Sequence, residues 1–404
     1  MSLTLFENVS QIVTCESTDE ASVLDNAALA VEDGVIAGIG PAAELGGRFA
    51  TGERVDCKGG VLTPGFVDSH THALFGRYRA GEYALRSSGV PYMEIARRGG
   101  GINASVRDVR EKSREELESL TRPRLRSMIA LGTTTAEIKS GYGLETEAEI
   151  RMLEAIGTLA AEGPLEIEAT FLGAHEFPPE YRDRRDAYVE LLIDEMIPAV
   201  AARGLARFCD VFMEPGVFDR EQSRSILEAG LAHGLMPRLH ADELEGSGAA
   251  ELAVELGAAS ADHLGAVSEE GIAALATSDT VATLLPATLF FLGRTRFAPA
   301  RRLLDAGATV ALASDFNPGS APSPSMPLVL TMACSQMGMS PLEAIHAATA
   351  GGARALRLAD GRGTLRTGAP ADIVLWSVSE CAEIPYHFGA PRIENVWKRG
   401  TAVL

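Results

Sequence analysis

Residues 64–72 read Pro-Gly-Phe-Val-Asp-Ser-His-Thr-His. The run Val61–Asp68 leading into them is short and mostly apolar, as a strand buried on both faces requires. Two histidines follow it, His70 and His72. In an extended chain, residues two apart share a face, so both imidazoles can point at one cation. Zinc and iron both accept imidazole nitrogen.

The same theme recurs downstream. Further strand candidates are Thr133–Lys139, Glu166–Ala174, Phe208–Met213, Met236–His240, Ala259–Asp262, Thr280–Leu285 and Val310–Ala313. Amphipathic stretches alternate with them: Val106–Leu131, Glu145–Ala161, Tyr188–Arg203, Arg220–His233, Gly248–Leu256, Glu269–Ala276 and Ala298–Asp305, with Ser340–Leu356 after the last. Alternation on this scale predicts an α/β fold, a (β/α)8 TIM-like barrel. An open doubly wound sheet is the rival, but no GxGxxG follows an early strand. Polar residues mark most strand ends: His70 and His72, Lys139 with Tyr142, His175, Glu214, His240 with Glu243, His263, and Asp315 with Asn317. A closed barrel gathers such residues at one mouth, whereas an open sheet spreads them along a line.

The flanks differ from the middle. Leu3–Val13 and Ala27–Ile39 at one end, and Asp372–Trp376 and Ile393–Trp397 at the other, are β-rich and broken by turns. Neither end is long enough for its own core, so both are expected to share one small β-sandwich. The predicted division is 1–60 and 358–404 for the sandwich and 61–357 for the barrel.

Lys and Arg total 36 against 55 Asp and Glu, a net charge of −19, which argues against nucleic acid as a partner. One buried arginine can still recognise a small anionic substrate. The cysteines, Cys15, Cys57, Cys209, Cys334 and Cys381, are scattered without a CxxC pair, as free thiols in a reducing compartment would be. The apolar window near 281–293 is interrupted by Pro286 and too short to span a bilayer. No basic, apolar leader opens the chain. The expectation is a cytoplasmic protein without a membrane partner.

His240 and Asp315 complete a candidate ligand set with His70 and His72. Three histidines and one aspartate leave a position for water, as in catalytic rather than structural sites. His263 also ends a strand and could serve a second metal. With no evident bridging group beside Lys139, we place it next to the ligands, hydrogen-bonding to water or substrate. Glu243, three residues beyond a ligand, is the candidate general acid and base, chosen over Asp242. Asp315 could assist the proton transfer.

These segments resemble the amidohydrolase superfamily. The match runs in order through His70-Thr71-His72 with Phe75-Gly76, Gly99–Ile102, Glu137-Ile138-Lys139-Ser140-Gly141-Tyr142-Gly143-Leu144, Gly173-Ala174-His175 with Pro178–Tyr181, and Asp210-Val211-Phe212. It continues through His240–Glu243, Asp315-Phe316-Asn317-Pro318-Gly319-Ser320 and Ile384–Gly389. His-Thr-His marks only the superfamily. The Lys-Ser-Gly-Tyr-Gly and Asp-Phe-Asn-Pro-Gly-Ser runs point to the branch that converts 4-imidazolone-5-propanoate and water to N-formimidoyl-L-glutamate in histidine degradation.

The resemblance implies a homodimer with one Zn2+ or Fe2+/Fe3+ per subunit, held by His70, His72, His240 and Asp315. It implies acid/base work by Glu243, a further pocket histidine at His263, and substrate contacts from Arg79, Tyr142 and His175. Asn317, Gly319 and Ser320 would lie in a product-binding loop. These roles suit the chemistry. The Arg79 fork can hold the propanoate bidentately, with Arg77 and Arg86 as nearby rivals. His175 is expected to donate to the ring carbonyl oxygen, where negative charge develops. Asn317, with the backbone of Gly319 and Ser320, is expected to hold the polar edge of the ring. Arg77, Tyr78 and Glu176-Phe177 depart from the family pattern and are expected near the pocket, where they would bear on substrate preference.

Two other functions fit part of this pattern. One is an aminohydrolase or deaminase using the same metal on a different nitrogen heterocycle, in which Arg79 would matter little. The other is a non-catalytic metal-binding protein, against which the acid/base candidate Glu243 weighs.

Overall fold

The computed structural model describes residues 2–90, 94 and 99–404. Eight parallel strands pair in sequence order: Phe66–Asp68, Thr133–Lys139, Glu166–Ala174, Phe208–Met213, Met236–Ala241, Ser260–His263, Val281–Leu284 and Val310–Leu312. Strict sequence order is what a barrel requires and a doubly wound sheet lacks. The seam between the first and last strands closes just beyond their ends. Thr71 bridges Phe316. His72 N–H donates to Phe316 O at 2.9 Å, and Asp315 N–H to His70 O at 3.1 Å. The buried Asp68 carboxylate accepts from Ser314 N at 3.0 Å and Ser314 Oγ at 2.5 Å. The segments that close the barrel are therefore those that carry His70, His72 and Asp315.

Both chain ends share a second sheet, as expected. Its strands run Thr401–Ala402, Ile393–Lys398, Ile373–Trp376, Glu53–Pro64, Leu3–Val13, Ala27–Glu32 and Val35–Pro41 across the sheet, with Val23–Asp25 also on Leu3–Val13. The strands of Phe6 and Trp397 are three places apart, about 14 Å in a flat sheet. Their rings meet edge to face with centroids 4.9 Å apart. The sheet thus curls over its own core, which includes Ile12, Leu29, Leu62 and Ile373.

Val61–Asp68 is not one barrel strand. Residues 61–64 pair with Ile373–Trp376 in the small sheet, and the barrel begins at Phe66. The change of partner is abrupt: Gly65 N–H donates to Asp372 O and Phe66 N–H to Gly132 O, both at 2.9 Å. The run stays apolar because it is buried in both sheets, so hydropathy carries no mark of the crossing. The expected helix Val106–Leu131 is also two, Ile102–Arg110 and Arg114–Ala130. Ser113 starts the second with a capping box that includes Glu116.

Candidate metal centre and acid/base site

The strand ends bring the predicted ligands together in a buried cluster. His70, His72 and His240 offer ligand atoms within 4.8 Å of one another, and so do His70, His263 and Asp315. Asp315 Oδ1 lies 3.7 Å from His70 Nε2 and 3.5 Å from His72 Nε2. The His70 and His240 rings are 4.5 Å apart, and the His240 and His263 rings 5.2 Å.

Donor chemistry tests whether a cation fits. Burial holds His70 and His72 well below the usual histidine range, with neighbouring cationic groups adding to the effect, so their lone pairs are available. His70 Nδ1 donates to Asp262 Oδ2 at 2.7 Å, which leaves the lone pair on Nε2. His70 Nε2 and His240 Nε2 are buried with no hydrogen-bond partner among the described residues. Unpartnered buried nitrogens are costly unless something shares them. A cation satisfies all of them at once, so the set fits one.

Charged residues inside the barrel orient these ligands. Asp262 also accepts from Arg238 Nη2 at 2.9 Å. Asp210 Oδ2 approaches His240 Nδ1 at 3.1 Å and Lys139 Nζ at 2.8 Å. Lys139 further pairs with Glu137 at 2.7 Å, so its ammonium is engaged by two carboxylates. Thr288, on the helix Pro286–Phe291, donates its hydroxyl to Asp315 Oδ2. Asp262, Asp210 and Thr288 were not among the sequence candidates. The signal for both aspartates was a charge within an apolar strand, joined for Asp210 by its place in a family-matching segment.

Glu243 is nearly buried, with Oε2 3.7 Å from His263 Nε2. Burial, helped by the negative charges of Asp315 and Glu214, pushes its pKa up to about 8. Asp242 is engaged elsewhere: its carboxylate accepts from Ser247 N, Ser247 Oγ, Ala249 N and Ala250 N. That makes it a local backbone anchor and leaves Glu243 as the carboxyl next to the cluster. Glu214 accepts from the amides of Glu243, Leu244 and Glu245 and fixes this segment.

Arg79 and the loop after Asp315 are built against each other. Arg79 N–H donates to Pro318 O at 2.9 Å. A side chain at Gly319 would begin 1.7 Å from Arg79 Nη2, so only glycine admits the guanidinium there. Arg79 Nη1 also donates to Ser105 Oγ at 2.7 Å, and Nε lies 3.3 Å from Glu82. The rivals point elsewhere. Arg77 has an 83% exposed side chain, and Arg86 donates to Phe291 O. Phe177 stacks on Phe218 at 4.2 Å in the core.

Two expected contacts need correction. Asn317 has its amide committed within the loop: Oδ1 accepts from Gly319 N and Ser320 N at 2.8 Å, and Nδ2 donates to Asp315 O and Ser320 Oγ. It shapes the loop, and the Gly319 and Ser320 amides are taken by it. His175 Nδ1 lies 2.9 Å from Gly141 O. A carbonyl only accepts, so Nδ1 carries the proton. Burial then lowers the His175 pKa to about 3, and Nε2 presents a lone pair. His175 is an acceptor here, not the expected donor to a carbonyl. Its ring stacks on His72 at 5.0 Å and lies 5.3 Å from Tyr142.

Barrel, closing seam and cluster together define a metal-site hydrolase. The description "Amidohydrolase family" matches residues 61–403. The chain is 45% identical to an imidazolonepropionase of Geobacillus sp. (strain WCH70), over 98% of this chain and 97% of that protein. It is 48% identical to an imidazolonepropionase of Symbiobacterium thermophilum, over 96% of this chain and 92% of that one. The crystal structure of an adenosine deaminase from Xanthomonas campestris with bound zinc shares the fold, with a TM-score of 0.75 at 20% identity over 99% of this chain and 92% of that one. The chain belongs to the amidohydrolase family and, within it, to the imidazolonepropionases. No helix among the described residues is long and apolar enough to cross a membrane.

Proposed function

We propose that this chain opens the ring of 4-imidazolone-5-propanoate in histidine degradation. Water adds to the ring carbonyl carbon, the ring carbon–nitrogen bond breaks, and N-formimidoyl-L-glutamate is released. The observation that carries the reading is that one loop, 315–320, carries Asp315 beside the histidine cluster and packs through Gly319 on Arg79. The candidate cation centre and the Arg79 fork proposed for the carboxylate are thereby tied through one loop, which suits a ring with an anionic tail.

His70, His72, His240 and Asp315 would hold one zinc or iron. When bound, the ion supplies Lewis acidity, which acidifies water and polarises a carbonyl. Arg79 binds the propanoate and fixes the ring's orientation. Glu243 takes the proton of the attacking water and returns it to the leaving ring nitrogen. His263 steadies Glu243 at 3.7 Å. His175, through Nε2, accepts from a ring N–H, while Tyr142 lines the same side.

The same reading makes the barrel, which begins at Phe66 rather than at Val61, the catalytic domain, flanked by the two parts of the small sheet. It makes the enzyme a cytoplasmic homodimer acting on a small anion, in keeping with five free cysteines. The deciding experiment is a spectrophotometric assay of the metal-reconstituted protein with imidazolone propanoate. Loss of ring absorbance with formation of formimidoyl glutamate is expected. A stable ring, with turnover of some other heterocycle, overturns the substrate assignment.

A further inference from the structure

Glu149 was not singled out by the sequence, yet it is a fully buried carboxylate in the first turns of the helix Thr146–Glu162. Its oxygens accept from Gly141 N at 3.0 Å, Gly143 N at 2.7 Å and Leu144 N at 2.9 Å. Three amides from four successive residues thus converge on one side chain. The loop has to pass very close to the helix to reach it: a Cβ at Gly143 would lie 2.6 Å from Glu149 N. At Gly141, with φ +102°, a Cβ would lie 3.0 Å from His175 Nδ1. The Gly-Tyr-Gly spacing is therefore what allows the loop to close on Glu149.

The loop bears on two pocket groups. It carries Tyr142, whose ring lies 5.8 Å from that of His72. It also supplies Gly141 O, the acceptor that sets the His175 tautomer. Gly141 O lies in the peptide plane between Gly141 and Tyr142, and Glu149 holds the N–H groups of the planes on either side, through Gly141 N and Gly143 N, which opposes a turn of that plane.

We propose that Glu149 is a positioning residue: by gathering the amides of Gly141, Gly143 and Leu144 it fixes the placement of Tyr142 and the Nδ1–H tautomer of His175. It touches no substrate. The proposal rests on the pocket reading for its effect on turnover, but the tautomer claim stands independently of which ring is hydrolysed.

The test is Glu149→Gln in the metal-loaded enzyme. A carboxamide keeps the size but turns an N–H2 toward backbone N–H groups, so the loop cannot hold its present form. With metal content and circular dichroism unchanged, kcat/KM is expected to fall about 10²-fold, as for a displaced pocket group. Nitrogen NMR of labelled histidine should show His175, assigned by His175→Asn, losing its single Nδ1–H form. A folded, loaded variant with less than about a tenfold loss, or with His175 signals unchanged, overturns the proposal. If Glu149→Gln does not fold, the wild-type spectrum decides: a protonated Nδ1 on His175 supports the proposal and a protonated Nε2 overturns it. If the wild type leaves imidazolone propanoate intact, the substrate reading fails, while the His175 comparison still decides the role of Glu149.

Discussion

Asp262 Oδ2 accepts the Nδ1 proton of His70 at 2.7 Å, across 192 residues of sequence. The contact fixes which His70 nitrogen faces the cluster and raises its basicity as a ligand. Arg238, fully buried, holds the same oxygen at 2.9 Å. In Asp262→Asn the amide could turn an N–H toward Arg238 or His70, and the tautomer preference would be lost. Metal affinity is expected to fall roughly 10–100-fold, measured by competition with a chelator. Unchanged affinity would remove His70 from the ligand set.

On the proposed reading, Arg79 is the residue that would separate this enzyme from hydrolases of rings without an anionic tail. Its guanidinium lies against Gly319, and its charge acts on His175. In Arg79→Ala, kcat/KM for imidazolone propanoate should drop by about 10²-fold or more, from the loss of charge-assisted hydrogen bonds. Metal content should not change. A loss below about tenfold would favour a substrate with no carboxylate.

Glu243→Gln keeps the shape of the side chain and removes its ability to take a proton. Turnover is expected to fall by about 10²–10⁴-fold with KM little changed. The contrasting variant is Asp242→Asn. Because Asp242 accepts from Ser247, Ala249 and Ala250, its substitution should lower the melting temperature more than it lowers kcat. The reverse pattern would exchange the roles of the two carboxylates.

The barrel and the gathering of His70, His72, His240 and Asp315 at one mouth were legible because strand periodicity and strand ends are local properties. His70 and His72 share a face whatever the rest of the chain does. The partners of those ligands were not legible. Asp262 meets His70, and Asp210 meets His240, only once parallel register and barrel closure bring distant strands together. Contact direction was equally hidden. Nothing in the sequence near His175 says that Gly141 O will take its Nδ1 proton, so its hydrogen-bonding sense was not legible. The crossing at Gly65 was missed for a different reason, since burial in two successive sheets leaves hydropathy unchanged.

Glu166 ties the third barrel strand to the C-terminal part of the small sheet. Its carboxylate is held by Lys398, by Arg399 at 2.7 Å and by Arg362 at 3.2 Å. Burial alone would raise its pKa, but the hydrogen bonds from Arg399 and Lys398 prevail and lower it to about 2. An unfolded glutamate titrates at about 4.3, so the folded pKa is the depressed one. The stabilisation from Glu166 is then complete above about pH 4.3 and is lost as the pH falls toward 2. In thermal melts, Glu166→Gln should be less stable than the wild type at neutral pH, and the gap should narrow through that acid window. A gap that stays constant down to about pH 2 would mean that the network contributes packing rather than charge.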